Sequence, residues 1–87
     1  MNLPMVEIKE MKQREFAGAV QQLREKFQLT QEDLAKAFGL AGNNVVSRWE
    51  LGTRKPNEIV RRLVLLLLAL PDRQAQAIME KLKSFGE

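Results

Sequence analysis

The 87-residue sequence contains no cysteine, no histidine and no tyrosine. Without cysteine there is no disulfide framework, no thiolate metal site and no cysteine nucleophile. Without histidine the commonest general base and the commonest metal ligand are missing, and so is every triad built on a Ser-His pair. The longest apolar run, Leu63 to Leu70, is eight residues, far short of the ~20 that span a bilayer. No basic start followed by an apolar stretch marks the N-terminus as a secretion signal. Ser47 and Ser84 have no neighbouring base, and no GxxxxGK[ST] phosphate loop exists. Adjacent acids such as Glu32 and Asp33 read as partners of a helix dipole rather than as a metal site. These absences lead us to expect a cytoplasmic, non-enzymatic, cofactor-free and metal-free protein that does not enter membranes.

A chain of this length holds one domain, and its 45% apolar and 29% charged residues are an ordinary globular balance. The net charge is only +3, but its placement is uneven. Residues 43–62 hold Arg48, Arg54, Lys55, Arg61 and Arg62 against Glu50 and Glu58, while the remaining segments cancel. Concentrating the whole excess in one twenty-residue window is the footprint expected of a polyanion binder.

Apolar spacing then organises the chain. Residues 1–11 read as an N-terminal arm or a short edge strand, because Met5-Val6-Glu7-Ile8-Lys9 alternates loosely and Pro4 bars a helix from passing through. From Lys12 to Phe27, the positions Phe16, Val20, Leu23 and Phe27 step by four, three and four, one stripe of an amphipathic helix. Thr30 caps a second helix whose inner side is Leu34, Ala35 and Phe38, and Gly39 ends it. A third helix runs from Asn43 to Leu51, with Val46, Trp49 and Val45 turned inward, and stops at Gly52. Asn57 caps a fourth helix extending to Leu70. Asp72 caps a fifth, striped by Ala75, Ile78, Met79, Leu82 and Phe85. The expected fold is therefore all-α, with five helices, a core over residues 12–70, and a C-terminal helix over 71–87 that covers the core or dimerises. Leu63–Leu70 is apolar nearly all round, so either the last helix folds back over it or two copies share it.

Helices two and three, joined by Gly39-Leu40-Ala41-Gly42, have the form of a helix-turn-helix, in which one helix crosses the phosphate backbone and the next lies in the major groove. The reading helix must be apolar on one side and carry short polar or basic side chains on the other. Val46 and Trp49, three apart, supply the first requirement; Asn43, Asn44, Ser47 and Arg48 supply the second. Asparagine can pair bidentately with adenine, and arginine with guanine O6 and N7. One of the two asparagines can serve as the helix cap instead. Arg61 and Arg62 either flank the DNA or are simply solvated.

Leu29-Thr30-Gln31, Leu34-Ala35, Phe38-Gly39, Val46-Ser47-Arg48-Trp49-Glu50, Gly52 and Lys55-Pro56 together resemble the Cro/lambda-repressor-type, xenobiotic-response-element-like helix-turn-helix family over roughly residues 16–70. The resemblance implies a lambda-repressor-like DNA-binding domain. Gln31 would bind a phosphate and brace the reading helix. Arg24 and Glu50 would form an ion pair between helices one and three, and Arg54 and Lys55 would reach backbone phosphates. Asn43, Asn44 and Arg48 fall on base-reading positions. The segment from Gly39 to Asn44 is one residue longer than in most relatives, which does not touch position 48, fixed by its distance to Trp49. The implied activity is sequence-specific repression of transcription by a homodimer on palindromic double-stranded DNA. An alternative role within the same fold is that of an antitoxin, which binds a toxin protein and represses its own operon.

Overall fold

The computed structural model describes residues 5–86, with side chains from Gln13 onward; Met1–Pro4 and Glu87 lie outside the described residues. The chain forms α1 (Met5–Phe27), α2 (Gln31–Ala37), α3 (Asn44–Leu51), α4 (Glu58–Ala69) and α5 (Asp72–Ser84), with no strand among the described residues. This is the expected all-α, five-helix architecture. One expectation is corrected. Residues 5–11, read as arm or edge strand, are the opening turns of α1.

Local chemistry sets most boundaries. Thr30 and Asp33 make a reciprocal capping box: Thr30 Oγ1 accepts from the Asp33 N–H at 3.0 Å, and Asp33 Oδ2 accepts from the Thr30 N–H at 3.0 Å. The donated Thr30 N–H holds the Asp33 carboxyl below its ordinary range. Asn57 caps α4 as expected, its Oδ1 accepting the Val60 N–H at 2.8 Å. Asp72, by contrast, is the first residue of α5 rather than its cap; Pro71 occupies the cap position without a side-chain bond.

Three helices end alike. Beyond α1, α2 and α3 a residue turns left-handed, at Gln28 (φ 54°), Gly39 (φ 72°) and Gly52 (φ 74°). The next amide then reaches back five residues: Leu29 to the Arg24 carbonyl at 2.8 Å, Leu40 to Ala35 at 2.8 Å, and Thr53 to Arg48 at 3.0 Å. Two of the turns use glycine, but the first uses glutamine, whose Cβ makes that conformation costly. Gln28→Gly should therefore raise stability by up to about 1 kcal/mol, seen as a Tm increase of roughly 4–8 °C in thermal unfolding. An unchanged or lower Tm would show that the glutamine side chain contributes a compensating contact.

The core sits where α1 crosses α3 and α4, with α2 and α5 closing the other side. Val20, Leu23, Leu34, Val46, Val64, Leu67, Ala75 and Met79 are fully buried. Phe16 meets Trp49 edge to face at 5.5 Å with an 81° interplanar angle. Phe85, expected on the inner stripe of α5, lies past the end of the helix and is 73% exposed. Lys26 on α1 reaches the junction of α4 and α5, more than forty positions away in sequence. Its ammonium donates to the Leu67 and Leu70 carbonyls at the end of α4 (3.4 and 3.3 Å) and pairs with Asp72 at 3.1 Å at the start of α5. A cation there satisfies orphaned helix carbonyls and favours the negative end of the α4 dipole.

Candidate nucleic-acid interface

The third helix is eight residues long, too short to be stable alone in water. It exists because Val46 and Trp49 are buried and Val45 is half-buried against the core. That anchorage leaves Asn43, Asn44 and Arg48 exposed, while Ser47 is half-buried. Neither asparagine caps the helix through its side chain. Asn43 holds the cap position with a helical backbone (φ −76°, ψ −7°) and makes no side-chain cap bond. Both amides stay on the outer side. The Arg48 guanidinium enters none of the ion pairs among the described residues, so it stands in solvent as a charged, five-donor fork.

A polar clamp fixes the far end of this helix. Arg24 on α1 grips Glu50 bidentately, Nε to Oε2 at 2.6 Å and Nη2 to Oε1 at 2.7 Å. Its third donor reaches the Leu29 carbonyl at 3.2 Å. The side chains are 25% and 8% exposed, so the pair is largely screened from water. The hydrogen bonds to Glu50 hold the Arg24 guanidinium above its ordinary pKa. Gln31, the first residue of α2, adds its amide to the same Glu50 oxygen at 3.4 Å. The three side chains thus meet at one point between α1, α2 and α3.

The loop after α3 begins on the same scaffold. The Arg48 carbonyl accepts from the Thr53 and Arg54 amides at 3.0 and 3.3 Å and from the Thr53 hydroxyl at 3.3 Å. Arg54 and Lys55 follow, both exposed. Arg61 and Arg62 are engaged otherwise. Arg61 holds Glu58 bidentately at 2.6 and 3.1 Å and Arg62 Nε lies at 3.1 Å from the same carboxylate, which pulls the Glu58 pKa down to about 2. With Glu50 taken by Arg24 and Glu58 by Arg61 and Arg62, the basic window reduces to three cations without an acidic partner among the described residues: Arg48, Arg54 and Lys55. All three lie on α3 or within the loop that leaves it.

Two features were not read from the sequence. Lys26 is one; nothing local signals a partner more than forty residues away. Leu51 is the other: it is 73% exposed at the last position of α3. Its spacing of seven from Asn44 would have placed it on the outer stripe. Among the described residues no helix is long and apolar enough to cross a membrane.

A helix-turn-helix family model matches residues 20–67, more than half of the chain and all of α2, the turn and α3. No curated protein and no solved structure matches significantly. The matched segment contains the clamp, the outward polar face and the basic loop, and on this ground the chain belongs to the Cro/lambda-repressor, xenobiotic-response-element-like helix-turn-helix family of DNA-binding transcriptional regulators.

Proposed function

We propose that the protein is a sequence-specific repressor that acts as a homodimer on a palindromic operator. The observation that carries this reading is the braced third helix, which presents Asn43, Asn44 and Arg48 outward while Trp49 anchors it inward. Arg54, Lys55 and Gln31 are the phosphate contacts and supply affinity with its salt dependence; Asn43, Asn44, Ser47 and Arg48 supply selectivity. Repression follows from occupying a promoter. The homodimer draws support from α4, where Ile59, Leu65 and Leu66 are exposed apolar side chains that a second copy would cover.

Selecting duplexes from a random pool tests both parts. Two reading helices in a dimer imply half-sites about one helical turn, ~34 Å, apart. On the selected duplex Arg48→Ala should cost about 1–3 kcal/mol and relax preference at one base pair. Lys55→Ala should weaken selected and random duplexes alike and lower the slope of log K against log salt by about one. Equal losses on both duplexes for Arg48→Ala would remove that residue from base reading.

The antitoxin reading shares this DNA face and adds a toxin partner. One observation favours it: Phe85, at the end of α5, is an aromatic side chain left in solvent. Capture of one defined toxin by the purified protein, abolished by Phe85→Ser, would select that reading over a free-standing repressor.

A further inference from the structure

The outer stripe of α3 contains one residue that a polar DNA-reading face does not explain. Asn44, Ser47, Arg48 and Leu51 stand at i, i+3, i+4 and i+7, so they share one side of the helix. Three are polar. The fourth is a leucine, 73% exposed and absent from the side chains that pack on the core. Its position is well defined, because the left-handed turn at Gly52 and the bond from the Thr53 amide to the Arg48 carbonyl keep the helix closed through Leu51.

Resting on the DNA-reading function proposed above, we infer that Leu51 recognises the C5-methyl group of a thymine in the major groove. That methyl is the one apolar feature on the base edges of the groove, and it distinguishes thymine from every other unmodified base. Surrounding charge selects this occupant over a second copy of the chain. Leu51 lies between Arg48 on its own helix and Arg54 three residues on, both without acidic partners among the described residues. Bringing the same patch of a second protomer against it would oppose like charges, whereas a groove walled by phosphates attracts both arginines and leaves the leucine facing base edges.

Deoxyuridine differs from thymidine only in lacking this methyl, so it isolates the contact. Each thymine of a selected half-site is replaced in turn by deoxyuridine, and binding is measured for the wild-type chain and for Leu51→Ala. Leu51 is exposed, so its truncation leaves the core intact. The expected result is one position at which uracil weakens wild-type binding by about fourfold, the value of one buried methyl, and at which Leu51→Ala binds thymine and uracil equally. Selectivity dependent on Arg48 should persist in Leu51→Ala. Tolerance of uracil at every position, equal uracil sensitivity in both proteins, or a loss of dimerisation in Leu51→Ala would overturn the assignment. Failure of the wild-type chain to bind any duplex would overturn the DNA-reading function as well; selective, Arg48-dependent binding without coupling to Leu51 would overturn this contact alone.

Discussion

Trp49→Ala should remove a large share of the stability of the domain and, with it, selective DNA binding. Truncating a buried tryptophan typically costs about 3–5 kcal/mol, while a domain of this size has in total roughly 4–13 kcal/mol. Here the loss falls at the joint between α1 and α3, where the indole meets Phe16 edge to face at 5.5 Å, a geometry worth about 0.5–1.5 kcal/mol beyond area burial. The indole serves as an apolar wedge. Its Nε1 is buried with no hydrogen-bond partner among the described residues, where the N–H costs desolvation without a compensating bond. Trp49→Phe should accordingly cost far less than Trp49→Ala, since it discards the unpaired donor along with some volume. Urea unfolding followed by far-ultraviolet circular dichroism gives the comparison. If the two variants lost equal stability, the indole N–H would have to be satisfied in solution. The functional loss has the same origin, because an eight-residue helix without its buried face has too few internal hydrogen bonds to persist.

Glu50→Ala should be nearly as damaging, through a different mechanism. Removing one member of a buried ion pair strands the other, at about 3–5 kcal/mol for full burial. Arg24 is a quarter exposed and keeps its bond to the Leu29 carbonyl, so it recovers some hydration and the expected cost is about 2–3 kcal/mol. Gln31 loses its acceptor in the same step. The amides of α3 should then exchange hydrogen faster than those of α4, since the clamp ties the end of α3 to α1 and α2. Replacing both charges, Arg24→Met with Glu50→Leu, should restore much of the stability because neither desolvated charge remains. A double variant as unstable as the single one would assign the effect to packing around Glu50 rather than to the stranded guanidinium.

What could be read from the sequence follows the range of the interactions concerned. The stripe Phe16, Val20, Leu23, the caps Thr30 and Asn57, and the stops Gly39 and Gly52 all depend on residues within about four or five positions of one another. They stood where spacing and turn chemistry put them. Residues 5–11 misled because the short apolar–polar alternation from Val6 to Lys9 also fits a strand, and a proline bars a helix from continuing upstream without preventing one from starting just after it. Asp72 has the composition of a cap, but its carboxylate is engaged by Lys26 from another helix, and the cap position passes to Pro71. Asn43 likewise holds a cap position without capping.

The sequence by itself determined five helices, the inward side of each of the first three, and an outward polar face on the third, because helical period and end chemistry are short-range and leave a repeating signature; on α4, apolar nearly all round, it left the inward side open. Only the tertiary structure decided that Glu50 is taken. It lies 26 positions from Arg24, and their pairing, added to the local i,i+3 and i,i+4 pairing of Glu58 with Arg61 and Arg62, turns a diffuse basic window into three available cations. It also decided that Lys26 closes α4 against α5 from over forty positions away. Contacts of that kind depend on how the helices cross, which no spacing within a single helix records.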